Sequence, residues 1–132
     1  MDYVTLLLVD DNVDLLRLLK RRLEADGYEV IAVEGGRQAL IALERRVPDL
    51  AILDVLMPET DGIETLRRIK QLHPSTEVIL LTGHGSVETA LRGMMNGAFD
   101  YLVKPCEPDY LKSRIQRAQE KKEIEEGNDQ KP

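Results

Sequence analysis

A doubly wound α/β fold, with five parallel strands in one sheet and helices on both of its faces, is predicted by three observations. Five short apolar runs recur along the 132-residue chain. Each is followed by a longer segment whose apolar residues fall at helical spacing, and such alternation builds parallel sheets flanked by helices. Four of the runs end on polar residues of different kinds: Asp10-Asp11, Asp54, Thr82 and Lys104.

The first run, Thr5–Val9, is apolar throughout and bounded by acids, the pattern of a strand buried on both faces. Leu15, Leu16, Leu19 and Leu23 then recur at helical period, with Arg17, Lys20, Arg21 and Arg22 on other faces. This amphipathic helix closes at Asp26-Gly27. Glu29–Val33 is the second strand, and Gly35-Gly36 turns the chain. Ala39, Leu40 and Leu43 mark a second helix that ends before Pro48. Leu50–Leu53 is the third strand; Met57-Pro58 and Asp61-Gly62 punctuate a long loop after it. Ile63, Leu66 and Ile69 define a third helix, stopped at His73-Pro74. Glu77–Leu81 is the fourth strand. Ser86 caps a helix carrying Val87, Ala90, Leu91 and Met94, which Gly97 ends. Asp100–Val103 is the fifth strand, and Leu111, Ile115 and Ala118 carry the last helix.

After Ala118 the apolar stripe fades. Residues 3–118 are expected to form one domain, and 119–132 a charged C-terminal extension or linker. That helix is expected to run on for a turn or two, with disorder from Gly127.

Right-handed crossovers leave few topologies for five such units, and the flavodoxin-like order 2-1-3-4-5 is the natural one. Strands 1 and 3 are then neighbours at the switch point, so Asp10, Asp11 and Asp54 meet in the crevice at the carboxyl edge. Thr82 and Lys104 end the next two strands on the same edge.

Composition narrows the functions. Net charge is −6 and aromatic content 4%, with no Trp. The charge has the wrong sign for holding phosphate backbones, and stacking platforms for single strands are missing. Direct nucleic-acid binding by this chain is therefore not expected. The one cysteine, Cys106, allows no internal disulfide. No apolar stretch approaches the ~20 residues of a membrane span, and the first residues lack a basic-then-apolar leader. A cytoplasmic protein is expected.

Three carboxylates within about 5 Å repel by about 3 kcal/mol per pair at an effective dielectric near 20. Such a cluster calls for a cation or a held proton. Its oxygen-only donors suit Mg²⁺, and the chain has no Cys/His cluster for zinc. Mg²⁺, the Lys104 ammonium and the Thr82 hydroxyl together suit a phosphoryl group, with an Asp54 oxygen as nucleophile. Blander readings exist for each residue. Asp10 and Asp11 also suit a helix start, Asp54 a turn, Thr82 a loop hydroxyl, Lys104 the surface, and Tyr101 simple packing on a helix.

Val9-Asp10-Asp11-Asn12, Asp54-Val55-Leu56-Met57-Pro58 with Asp61-Gly62, Leu81-Thr82-Gly83-His84 and Tyr101-Leu102-Val103-Lys104-Pro105 stand in this order along the chain. Together they resemble the receiver domain of bacterial two-component response regulators, over roughly residues 3–118. The resemblance implies that Asp54 accepts a phosphoryl group from a sensor histidine kinase or a phosphotransfer protein. It implies that Asp11, Asp54 and the Leu56 backbone carbonyl ligate Mg²⁺, with Asp10 acting through water. Thr82 and Lys104 would hold the phosphoryl oxygens, and Tyr101 would be the switch aromatic. Leu56 and His84 would flank the phosphoryl group and affect its hydrolysis, and the Lys104-Pro105 bond would be cis. The protein is then a signalling switch and not an enzyme in the ordinary sense, although it assists its own phosphorylation and dephosphorylation. Its output face would be the fourth helix, fifth strand and fifth helix, a possible homodimer surface.

Three rivals share parts of this pattern. A haloacid-dehalogenase-like phosphatase needs a second acid two residues after the nucleophile, where this chain has Leu56. A flavodoxin needs a Ser/Thr/Gly-rich turn after the first strand, where this chain has Asp-Asp-Asn-Val-Asp. A pseudo-receiver that only binds partners has no need of the full acid, hydroxyl and lysine set.

Overall fold

The computed structural model describes residues 3–57, 60–83 and 86–129. Five parallel strands, β1 (Thr5–Val9), β2 (Glu29–Val33), β3 (Leu50–Leu53), β4 (Glu77–Thr82) and β5 (Asp100–Val103), lie in the order β2-β1-β3-β4-β5. Five helices alternate with them: α1 (Val13–Ala25), α2 (Gly36–Arg45), α3 (Gly62–Leu72), α4 (Val87–Met95) and α5 (Pro108–Asp129). This is the predicted topology, with each strand within a residue of its expected bounds.

Side chains alternate across a strand, so each buried strand feeds two cores. Leu7 and Val9 join Leu53, Leu80, Leu43, Leu66 and Ile69 on the α2–α3 face. Leu6 and Leu8 join Ile52, Ile79, Leu16, Leu23, Leu111 and Ile115 on the α1–α5 face. Burial on both faces explains why β1, β3 and β4 read as continuous apolar runs rather than alternating ones.

Helix ends follow local chemistry. Side-chain oxygens of Asn12, Asp61 and Ser86 accept from the backbone N–H groups of Leu15, Ile63 and Thr89 at 3.1, 2.9 and 3.0 Å. These bonds satisfy donors that a helix start leaves unpaired. Gly27 and Gly97 adopt φ of +97° and +99°, the left-handed turn that follows a helix.

Two features depart from the sequence expectation. The segment after β3 is more ordered than a loop. Leu56–Met57 and Thr60–Asp61 pair antiparallel, and the Gly62 N–H donates to the Val55 carbonyl at 2.9 Å. Pro58 and Glu59 lie outside the described residues.

The second departure is α5, which continues to Asp129 where fading and then disorder is expected. Ion pairs replace the missing apolar stripe. Lys121 reaches the buried Glu77 at 2.8 Å and Lys122 reaches Asp49 at 3.4 Å, while Glu125 and Glu126 pair with the same lysines one turn on. Residues 130–132 lie outside the described residues.

Candidate functional site

Register brings the acids together. Val9 pairs with Leu53, so the next residues, Asp10 and Asp54, leave adjacent strands side by side. Backbone bonds hold the exit: the Asp54 N–H donates to the Val9 carbonyl at 3.0 Å and the Asp10 N–H to the Val33 carbonyl at 3.2 Å. Asp10 and Asp54 are buried, at 6% and 7% exposure, whereas Asp11 faces solvent. One carboxylate oxygen from each of Asp10, Asp11 and Asp54 lies within 4.8 Å of the others. Asp10 is steadied further by the Asn12 N–H, which donates to its Oδ1 at 2.9 Å.

Thr82 and Lys104 arrive from β4 and β5. Thr82 pairs with Val103 in register, and the Lys104 N–H donates to the Thr82 carbonyl at 2.8 Å. Thr82 is fully buried. The Lys104-Pro105 bond is cis. The Lys104 ammonium crosses to the acids, 2.6 Å from Asp10 Oδ2 and 3.3 Å from Asp54 Oδ2.

Burial alone would lower the Lys104 pKa, but the hydrogen bond and charge of Asp10, followed by Asp54, outweigh it and hold the pKa above its usual value of 10.5. A lysine whose folded pKa is raised contributes stability that is fully present below its unfolded pKa and lost as pH rises through the folded one. Thermal melts of the metal-free chain should therefore show no contribution change from Lys104 below pH 10. Its contribution should fall above that, and a Lys104→Met variant should lack this alkaline component.

Tyr101 is half-buried on β5, opposite Leu80, and packs against the α2–α3 core. Leu56 enters the short ladder through its backbone, opposite Asp61. His84 lies outside the described residues. Burial, then the charge of Glu107, pushes the Cys106 thiol up, in keeping with an inert side chain. Every described side chain expected at the edge thus lies there: Asp10, Asp11, Asp54, Thr82 and Lys104, with Tyr101 two residues inside.

Gly62, which punctuates the loop after β3 in the sequence, also packs against that strand's exit. A Cβ there would lie 2.4 Å from the Asp54 carbonyl oxygen and 2.5 Å from the Val55 Cα. The start of α3 therefore presses on the backbone that aims Asp54, and only glycine allows that approach. The Asp61-Gly62 pair was visible, but its tertiary neighbour was not. Arg92 on α4 also reaches Asp61 at 3.5 Å, tying α4 to the ladder beside the site.

Comparison with known proteins gives the same picture. The profile of the response regulator receiver domain matches residues 6–116. The transcriptional regulatory protein ZraR of Escherichia coli O157:H7 is 42% identical over 117 residues, 89% of this chain and 26% of that protein. The luminescence regulatory protein LuxO of Vibrio campbellii is 36% identical over 111 residues, 84% of this chain and 24% of that protein. The chain thus spans about a quarter of the length of these curated relatives. Among solved structures, a CheY-like receiver domain protein from Methanospirillum hungatei superposes with a TM-score of 0.92 at 31% identity, covering 94% of this chain and 99% of that one. NtrX from Brucella abortus, solved with ADP, gives 0.88 at 33% identity, covering 97% of this chain and 29% of that one. Among the described residues, no helix is long and apolar enough to cross a membrane.

Proposed function

The chain belongs to the response regulator receiver domain family, and from that premise we propose that Asp54 takes up the phosphoryl group, delivered by a sensor histidine kinase or a phosphotransfer protein. One observation carries the reading: a buried Asp54 carboxylate, 3.3 Å from an ammonium, inside a cluster of three acids. Three carboxylates cluster about the Lys104 ammonium, and the donors are all oxygens. That set fits Mg²⁺, held by Asp11, Asp54 and the Leu56 carbonyl, with Asp10 acting through water. When bound, the ion supplies positive charge to the phosphoryl oxygens and offsets the repulsion among the acids.

The chain's own residues do the rest. An Asp54 oxygen attacks phosphorus in line with the donor imidazole. The new P–O bond forms as the P–N bond breaks, and the imidazole leaves carrying a proton. Lys104 and Thr82 each take one of the phosphoryl oxygens, stabilising charge where the transfer places it.

The product carries a charge of about −2 on Asp54, which biases two conformations differing by a few kcal/mol. Thr82 moves toward the phosphoryl group and Tyr101 turns inward. The signal leaves through α4, β5 and α5, where Leu91, Met94, Met95 and Val103 are exposed. That apolar face suits a second copy or an effector. The chain is read as a cytoplasmic switch that controls an output partner or domain and does not itself contact nucleic acid. ZraR and LuxO are regulatory proteins about four times its matched length, and a similar output region is proposed here.

Intact mass after incubation with acetyl phosphate tests the reading. A single phosphoryl adduct that requires Mg²⁺ supports it. No adduct with acetyl phosphate or with a phosphorylated histidine kinase would move the chain to the pseudo-receiver class. The switch has its own test: Thr82→Ala should still take up the phosphoryl group, but lose most of the phosphorylation-induced amide shifts in α4 and β5. Unchanged shifts in that variant would remove Thr82 from the switch.

A further inference from the structure

A groove runs between α2 and α3, on the sheet face opposite α5. Two cavities of about 540 and 470 Å³ adjoin along it and share Leu40, Glu44 and Arg68. Its apolar surface includes Ile41 and Leu72, each about half exposed. Arg37, Arg45 and Arg68 rim it, and among the described residues none of the three forms an ion pair. Of the three lining acids, Asp61 and Glu64 are already paired with Arg92 and Arg67, which leaves Glu44 alone against Arg37, Arg45 and Arg68. The groove is therefore apolar within and positively charged at its edge, on a chain whose net charge is −6.

One described segment has the complementary surface. Beyond the buried Ala118, α5 continues to Asp129, a length of roughly 16 Å at 1.5 Å per residue. The ten residues of α2 give the groove wall a matching length of about 15 Å. Lys121 and Lys122 face inward and hold Glu77 and Asp49. Glu120, Glu123 and Ile124 fall on the opposite side of the helix and are exposed. That face offers an aliphatic side chain beside two acids. Its own groove is out of reach while the two lysine contacts hold, because α5 packs on the other face of the sheet.

We propose that the α2–α3 groove receives the end of α5 from a second copy of this chain, each copy giving its tail to the other's groove. The exchange is reciprocal and closes as a twofold dimer rather than an open chain. Ile124 seats on the apolar lining near Ile41 and Leu72, while Glu120 and Glu123 meet the arginine rim. It needs neither Asp54 nor a phosphoryl group, so it stands or falls separately from the function proposed above.

Sedimentation velocity on the unphosphorylated full chain, over a concentration series and at two ionic strengths, tests this. The expected result is a monomer–dimer equilibrium that weakens with salt. Arg37→Glu with Arg68→Glu, or Glu120→Lys with Glu123→Lys, should each weaken it about tenfold. All four substitutions combined in one chain should restore it. These positions are exposed, so unchanged melting temperatures will show that folding is intact. Leu91→Glu on α4 should leave this association as it is. A chain that stays monomeric throughout, a dimer indifferent to both reversals, or a dimer lost in Leu91→Glu would each overturn the proposal.

Discussion

Asp54→Asn should take up no phosphoryl group from acetyl phosphate or from a kinase, at any Mg²⁺ concentration. The amide is isosteric but supplies no anionic oxygen to attack phosphorus, and the neighbouring Asp10, although in the same cluster, already gives its Oδ2 to the Lys104 ammonium at 2.6 Å. The same variant should be more stable than the wild type when metal-free. Asp54 has two acid neighbours within 4.8 Å, and the Lys104 ammonium beside it lies closer to Asp10, at 2.6 Å. Removing a charge from that cluster relieves repulsion, and the gain is expected to be about 1 kcal/mol after solvent screening. Adding Mg²⁺ should then raise the melting temperature of the wild type far more than that of the variant. Phosphoryl uptake by Asp54→Asn at the wild-type level would put the acceptor elsewhere.

Gly62→Ala should destabilise the fold by about 3 kcal/mol, the upper part of the range for overpacking. The added methyl meets backbone atoms, at 2.4, 2.5 and 2.8 Å, rather than side chains that can swing away. A melting temperature lower by roughly 10 °C is expected, together with slower phosphoryl uptake because the displaced atoms belong to Asp54 and Val55. Gly83→Ala gives the contrast, since nothing lies within 4 Å of a Cβ at that position. A Gly62→Ala variant that melts with the wild type would mean that α3 can back away from β3 without loss.

How much of this could be read from the sequence depended on whether the information was local. The strands were legible because burial on both faces leaves no polar side chain in residues 6–9 or in Leu50–Leu53. The site was legible because a parallel sheet puts every strand's carboxyl end on one edge, so the order of residues along the chain becomes proximity in space. Asp10 and Lys104, 94 positions apart, meet at 2.6 Å for that reason. What depended on distant partners was hidden. The length of α5 rests on Lys121 finding Glu77, 44 residues earlier, and an apolar-stripe reading has no view of such a contact. Gly62 looked like any turn glycine because its closest neighbours, Asp54 and Val55, belong to another element. The two-residue ladder after β3 was too short to carry a periodic signal.

Strand β4 begins at Glu77 and ends at Thr82, and is bonded to β3 on one side and β5 on the other. One end holds the buried hydroxyl proposed as the switch, and the other the buried carboxylate that grips the tail of α5. About 17 Å of fully extended, laterally clamped backbone joins them, and such a segment has almost no slack to absorb a pull. The strand is a tie rod between the two poles of the molecule. A spectroscopic label on the tail beside Lys121 should therefore change its signal if a movement at Thr82 shifts the strand, and an unchanged signal on phosphorylation would show that the strand stays fixed.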